Sequence, residues 1–238
     1  MNILTQYFIP QWISVVFLFA IPLPFVLLVL FIRKGAKKTS SKLAYIFVLS
    51  FFALYLAYIA FASYKGWFNV VSFPPRVLLY TTFPYAFLLF GIVLNTDFYK
   101  KIVDNASIES LIKLHVFRVI GVFFILLAVH NALPKTFAFI AGFGDIITAV
   151  SSIFVAKAIQ AKKKYAKTLA YLWNTFGFID ILFTTLAANI LTKISIDTGS
   201  MGVDSLAVFP FCIIPAFAPP TIMFLHWTIF QKLKKSTI

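Results

Sequence analysis

Long apolar segments alternate with short polar connections along the whole chain. A helix that crosses a bilayer needs about 20 predominantly apolar residues. The pattern predicts seven spans, over residues 10–32, 43–63, 77–94, 111–133, 136–158, 168–191 and 206–230. It therefore predicts an all-α, seven-transmembrane-helix bundle, with residues 1–238 forming a single domain.

The basic residues between these segments predict how the bundle is oriented. Sixteen Lys and Arg residues lie in or at the edges of the 1–2, 3–4 and 5–6 connections and in the C-terminal tail. Only four, Lys65, Arg76, Lys135 and Lys193, lie on the other side. Because basic loops stay in the cytoplasm, the N-terminus is expected outside and the C-terminus inside. We expect a multi-pass protein of the cell membrane.

The composition narrows the class of protein further. Of the 238 residues, 61% are hydrophobic and only 12% are charged, which excludes a soluble enzyme, a disordered chain and a disulfide scaffold. The net charge of +14 is carried between the spans, so it indicates anionic lipid headgroups as partners and not nucleic acid. A small solute or a proton is the other expected partner, and the sequence indicates no oligomeric state.

Two acidic residues, Asp145 and Asp180, are predicted near the middle of the membrane. A charged side chain there costs about 2.5–3.5 kcal/mol on insertion scales, so it is a functional candidate. Asp145 shares its helix face with Thr148 and several small residues, whereas Asp180 shares its general side with Asn174. Both carboxyl groups should therefore point into the bundle, where they could bind a substrate, a cation or a proton together with Asn174 and Thr148.

A second polar group is predicted closer to the cytoplasmic surface. Arg118 lies within the fourth span, and its side chain could extend to the inner headgroups or reach toward an aspartate. His226 and Asn174 lie at a similar depth, and His115 lies one turn nearer the surface. These residues are expected to form an inner polar cluster in which Arg118, His226 and His115 act as a gate or relay.

The proline pair Pro219–Pro220 interrupts the last span and is a candidate hinge. Each proline lacks an N–H and frees a carbonyl one turn earlier, here near Pro215 and Ala216. Thr221, other polar groups or water would have to satisfy these carbonyls. The alternative to a hinge is a kink that only improves packing.

Two connections could have structure of their own. Residues 95–110 show apolar residues at helical spacing, which is typical of a short helix on the inner surface, and a solvated connector is an equal alternative. Residues 195–205 contain two glycines and are expected to be a flexible connector, with a lid as the alternative.

The sequence contains none of the common motifs of metalloenzymes, serine hydrolases or nucleotide-binding proteins. There is no HExxH, no close metal-ligand spacing, no GxSxG and no phosphate-binding loop, so neither a metal nor another cofactor is expected. The leading hypothesis is a small-solute or proton-coupled transporter, and an enzyme is not favoured. The alternatives are a membrane sensor that binds an apolar ligand, an intramembrane lipid-modifying enzyme, and a subunit whose polar residues only join helices.

Overall fold

The computed structural model describes residues 8–37 and 42–236. Seven of its helices are long and apolar enough to cross a membrane, so the chain is a multi-pass membrane protein. Numbered as spans 1 to 7, they are Gln11–Ala36, Ile46–Tyr64, Leu78–Asn95, Ile108–Val129, Lys135–Gln160, Ala166–Thr198 and Ile213–Lys235. All regular secondary structure in these described ranges is helical. Lys38, one of the basic residues of the first connection, lies outside them.

One continuous cluster of buried apolar side chains includes residues from all seven spans. Spans 4, 5 and 7 are the most deeply buried, whereas spans 2, 3 and 6 expose most of their surface. Aromatic rings fill the contact between spans 1, 2 and 7, where Phe25 packs against Phe52 and Phe217 with centroid distances of 5.4 and 4.3 Å. The end of the bundle near Lys101, Lys163 and Lys234 is called the basic end below, and the end near Lys135 and Lys193 the opposite end.

Span 4 changes its winding where its polar residues lie. Residues His115–Gly121 form a 3₁₀ helix between two α-helical segments. A 3₁₀ helix has three residues per turn, so side chains three positions apart are aligned. His115, Arg118 and Gly121 therefore lie in one row, and all three are buried.

Span 6 extends further than the sequence pattern predicts and ends at Thr198. Gly199 follows with φ of 71°, a left-handed conformation that glycine adopts without steric cost and that ends the helix. Span 7 begins later than the predicted residue 206, because Asp204–Ala207 form a separate 3₁₀ turn. Pro210, predicted inside the last span, lies before its first residue.

The short helix predicted within residues 95–110 is confirmed over Asp97–Asn105 and is called the surface helix below, whereas its place on the inner membrane surface stays a prediction. The Thr96 side chain caps it by accepting a hydrogen bond from the backbone N–H of Tyr99. Tyr99 and Ile102 are buried against the bundle, and the Tyr99 hydroxyl lies 2.7 Å from Oγ1 of Thr228. Burial raises the pKa of Tyr99, so this phenol is neutral and ties the surface helix to span 7.

Candidate functional site

Arg118 lies between the two membrane-embedded aspartates and contacts both. Its Nε donates to Oδ1 of Asp145 at 2.6 Å, and its Nη2 donates to Oδ2 of Asp180 at 2.5 Å. The Arg118 side chain is fully buried, and the two carboxyl side chains are about one-tenth exposed. Of the two alternatives that the sequence left open, the Arg118 side chain therefore reaches the aspartates and does not extend to the lipid headgroups. These three residues are called the triad below.

The third guanidinium nitrogen of Arg118 binds span 6 and span 7. Its Nη1 donates to the carbonyl of Gly177 at 3.1 Å and lies 3.1 Å from Nε2 of His226. All three nitrogens of the planar guanidinium thus have partners, on three different spans. The Arg118 side chain holds spans 4, 5, 6 and 7 together at the triad.

His226 is held in one orientation by Asn174. Its Nδ1 lies 2.8 Å from Oδ1 of Asn174, and Nδ2 of Asn174 donates to the His226 carbonyl at 3.0 Å. Because that amide group uses its nitrogen on the carbonyl, its oxygen must accept from Nδ1–H of His226. Nε2 then accepts from Arg118, which is the arrangement of a neutral imidazole.

Three glycines make room for this polar cluster. A Cβ atom at position 121 would collide with Asp145, and one at position 144 would collide with the carboxyl group of Asp180. At position 177 a Cβ atom would lie 2.6 Å from Cε1 of His226. The polar side chains therefore fit only because the backbone facing them carries no side chain.

His115 lies beside this cluster but makes no hydrogen bond to it. Its ring centroid is 4.2 Å from that of His226, and the edge of Trp173 faces it at 5.2 Å. The residue is fully buried, and neither ring nitrogen has a hydrogen-bond partner in the described part of the chain. An unpaired buried polar group costs about 1–3 kcal/mol, so this imidazole needs an explanation beyond packing.

Thr148 makes no hydrogen bond to the triad and bonds instead within span 5 and to Trp173 of span 6. Its Oγ1 donates to the carbonyl of Gly144 at 2.8 Å, and its own carbonyl accepts from Nε1 of Trp173 at 3.2 Å. These bonds fix the segment of span 5 that faces Asp180. The predicted role of Thr148 in binding a substrate or a proton stays a prediction.

A small cavity reaches the triad from the side of spans 1 and 7. It has a volume of about 50 Å³ and is lined by Arg118 and Asp145 together with apolar residues such as Phe25, Phe124 and Ile214. A water molecule needs about 10–15 Å³ of such space, so this inner cavity has room for several. The triad is therefore buried without being fully enclosed by packed side chains.

The carbonyls freed by the proline pair are satisfied by other spans. Thr82 of span 3 donates to the carbonyl of Pro215 at 2.7 Å, and Tyr55 of span 2 donates to that of Ala216 at 2.9 Å. Of the groups expected to serve them, other polar side chains do so and Thr221 does not, since its Oγ1 pairs with the Tyr85 hydroxyl at 3.1 Å. Thr221 follows these carbonyls by five and six residues, which is beyond the spacing of three or four residues at which a threonine hydroxyl bonds back to a carbonyl of its own helix.

Sequence reasoning brought together Asp145, Asp180, Arg118, Asn174 and His226, which the structure places in one connected hydrogen-bond network. It missed the roles of Gly121 and Gly144 and of Tyr55 and Thr82. Glycines at helix-interior positions of spans 4 and 5 were the available signal for the first pair. Among the described residues, no group of three His, Cys, Asp or Glu side chains is placed to hold a metal ion.

Comparison with known proteins adds a family but no relative of known structure. No curated protein and no solved structure matches the chain. Residues 74–234 match a protein family, and this range contains spans 3 to 6, all but the last residue of span 7, and every residue of the cluster just described. Because the match covers more than half of the sequence, the chain belongs to the family described as the domain of unknown function DUF8737.

Proposed function

We propose that this protein is a transporter of the cell membrane in which the triad binds a proton or a monovalent cation during the passage of a small solute. The basic end of the bundle faces the cytoplasm in this proposal, as the distribution of Lys and Arg favours. The observation that carries it is one guanidinium shared by two buried carboxyl groups.

The charges of the triad do not balance. With both aspartates ionised, one positive and two negative charges are buried together. An uncompensated charge in a low-dielectric interior is strongly unfavourable. The resting site is therefore expected to hold one further positive charge, either as a proton on a carboxyl group or as a small cation.

Each carboxyl group has a second oxygen that could bind this proton or cation. Arg118 binds Oδ1 of Asp145 and Oδ2 of Asp180. The second oxygen of each aspartate has no hydrogen-bond partner within the described residues, and each side chain keeps a small exposed area. The inner cavity borders Asp145, so water or a cation could meet the triad there.

His226 and His115 give the triad a route toward the basic end. Neutral His226 accepts from Arg118 at Nε2, and it can take a proton there only when Arg118 moves away. The adjacent His115 ring has both nitrogens unpaired, which suits a group that exchanges protons with transient water. We assign His226 the role of gate and His115 that of relay.

The alternatives fit the geometry less well. Small-molecule sites occupy about 300–1,000 Å³, so the cavity of about 50 Å³ beside the triad is too small for a sensor's apolar ligand, which would have to bind away from the two aspartates. An enzyme using an aspartate with a histidine needs the two in contact. Here Arg118 separates His226 from both carboxyl groups.

The test is flux into liposomes that contain the purified protein and a pH-sensitive dye. A proton gradient should produce flux, or a sodium or potassium gradient should change it. Asp145→Asn and Asp180→Asn should each abolish the response, whereas Asp197→Asn, an exposed aspartate paired with Lys193, should not. Absence of flux under all three gradients, or flux that persists in both variants, contradicts the proposal.

A further inference from the structure

A larger cavity lies between the end of span 2 and the start of span 3. It has a volume of about 310 Å³ and is lined by Tyr58, Trp67, Arg76 and Tyr80. The two tyrosines belong to the spans, whereas Trp67 and Arg76 belong to the connection between them. Small-molecule sites occupy about 300–1,000 Å³, so this space can hold a small polar group. It is called the aromatic pocket below.

The aromatic pocket lies at the depth where lipid headgroups are expected. The two residues that flank Arg76 line a separate crevice together with Thr192, the residue before Lys193, which places the pocket at the opposite end. Its three aromatic side chains are between 36 and 43% exposed, on two spans that expose most of their surface. Tyrosine and tryptophan are enriched at the membrane–water interface, because their rings are apolar and their N–H or O–H groups are polar. The pocket therefore opens toward the bilayer.

The lining of the pocket offers a positive charge and free hydrogen-bond donors. The Arg76 guanidinium, the Trp67 indole N–H and the Tyr80 hydroxyl have no side-chain hydrogen bond or ion pair to any described residue. No acidic residue is among the described residues that line the space. A cation with several N–H and O–H donors and no carboxylate binds an oxyanion and repels a metal ion or an amine.

The walls of the pocket are held in place by their neighbours. The Tyr58 hydroxyl donates to the Tyr80 carbonyl at 3.1 Å, which joins spans 2 and 3 at the pocket. Gly66, with φ of 72°, ends span 2, and the Trp67 N–H donates to the Ala62 carbonyl at 2.9 Å. The Trp67 ring packs edge-on against that of Tyr58, with centroids 6.3 Å apart. The pocket is therefore formed before a ligand arrives.

Arg76 differs from the other basic residues of this end. Lys193 forms an ion pair with Asp197, and Nζ of Lys65 lies over the Phe61 ring at 5.7 Å from its centroid. Arg76 is half-buried and has no such partner among the described residues. A partly buried charge without a partner is unfavourable, so Arg76 is expected to bind an anion from its surroundings.

We propose that the aromatic pocket binds the phosphate group of a phospholipid from the adjacent membrane leaflet. Arg76 binds two phosphate oxygens through parallel N–H groups, and the rings of Trp67 and Tyr80 pack against the carbons on either side of the phosphate. A soluble phosphate would carry the same charge but would leave these exposed rings in contact with water. A lipid covers them, which favours the lipid as the source. The proposal is independent of transport, because none of these residues belongs to the triad.

Modification of arginine by phenylglyoxal tests the pocket at a single residue. The chain has three arginines, so peptide mass spectrometry measures the reaction of Arg76 separately from those of Arg33 and Arg118. With the protein in an uncharged detergent, phosphatidylglycerol should slow the Arg76 reaction at least about tenfold. Glucosyldiacylglycerol with the same acyl chains has no phosphate and should leave the rate unchanged. Inorganic phosphate at the same concentration should also leave it unchanged.

The aromatic wall is tested with a matched pair of variants. Trp67→Ala leaves the guanidinium in place and should reduce the protection by phosphatidylglycerol about threefold. Tyr64→Ala, at an exposed tyrosine of the same end that does not line the pocket, should keep the full protection. Melting temperatures show whether both variants fold. If Trp67→Ala does not fold, Tyr80→Phe, which removes one hydroxyl, replaces it.

The outcomes separate the lipid from other ligands. No protection by phosphatidylglycerol, or equal protection by the glucosyl lipid, overturns the proposal. Protection by inorganic phosphate as strong as that by the lipid would identify a soluble anion as the ligand and would overturn the lipid assignment. Equal protection in Trp67→Ala and Tyr64→Ala contradicts the role of the aromatic wall. Failure of the transport proposal would show instead as absent flux with lipid protection of Arg76 intact.

Discussion

Gly144 on span 5 lies directly against the carboxyl group of Asp180 on span 6. A Cβ atom at position 144 would overlap Oδ1 of Asp180, so the two helices approach closely only because this residue is glycine. The contact holds Asp180 against Arg118, whose Nη2 binds the other carboxyl oxygen. The geometry of the triad therefore depends on a residue that has no side chain.

Gly144→Ala should displace Asp180 and break its bond to Arg118. Overpacking a close helix contact costs about 1–3 kcal/mol, so the melting temperature should fall and the flux should be lost. Gly91→Ala is the matched control, because a Cβ atom there would meet only the side chain of the exposed Phe87, at 3.2 Å. Equal effects of the two substitutions would show that Gly144 has no special role in the site.

Arg118→Met should destabilise the protein by about 3–5 kcal/mol, since it leaves two buried carboxyl groups without their cation. The triple variant Arg118→Met, Asp145→Asn, Asp180→Asn should recover most of this loss, because it removes the unpaired charges. Arg118→Lys keeps the charge but cannot bind both aspartates in one plane, and it should fold but not support flux. Thermal unfolding in detergent gives the stabilities, and a triple variant no more stable than Arg118→Met would contradict the charge argument.

The hydrogen bond from Tyr55 to the Ala216 carbonyl should matter only when residue 220 is proline. Tyr55→Phe leaves that carbonyl unpaired and should cost about 1–3 kcal/mol. In a Pro220→Ala background the alanine N–H can bond to Ala216, so the same substitution should cost much less. A double-mutant cycle measures this coupling, and Tyr58→Phe, at an exposed tyrosine bonded to the Tyr80 carbonyl, is the control. An unchanged cost of Tyr55→Phe would mean that the proline pair does not create this bond.

Asp204 should make stability depend on pH. Burial raises the pKa of this carboxyl group, so the folded protein binds the proton more tightly than the unfolded chain. Its stabilising contribution is complete below the unfolded pKa of about 3.9 and is lost as pH rises through the raised folded pKa.

The measurement is the melting temperature of the wild-type protein minus that of Asp204→Asn, from about pH 4 to pH 7. This difference should fall as pH rises. The difference for Ser200→Ala, a substitution in the same loop that removes no titratable group, should stay constant. A difference for Asp204→Asn that rises with pH would show that the carboxylate is stabilised and not disfavoured in the fold.

The apolar pattern was enough to predict the seven spans and which span carries each of the polar residues. Helical spacing also placed Asp145 and Asp180 toward the interior, because both share a face with small residues. These features are local and follow from the period of the helix. Span ends were less well predicted, since the 3₁₀ turn at Asp204–Ala207 and the left-handed Gly199 depend on the loop and not on hydrophobicity.

The partners of the polar groups could not be predicted in the same way. A long arginine side chain at one depth can reach headgroups or several neighbouring spans, and only the packing of spans 4, 5 and 6 decides that Arg118 meets both aspartates. The donors for the proline-freed carbonyls, Tyr55 and Thr82, are more than 130 residues away in sequence. The ring of His115, which packs at a tilt against His226 and has no hydrogen bond among the described residues, likewise depends on the approach of span 7.

The central claim is that the triad takes up and releases a proton or a monovalent cation. Infrared difference spectra of the protein in lipid, recorded between two pH values and with or without sodium or potassium, measure carboxyl protonation and cation binding directly. The account predicts carboxyl bands that respond to one of these changes and that disappear in both Asp145→Asn and Asp180→Asn. Spectra of the two variants that match the wild-type spectrum under every condition would contradict it.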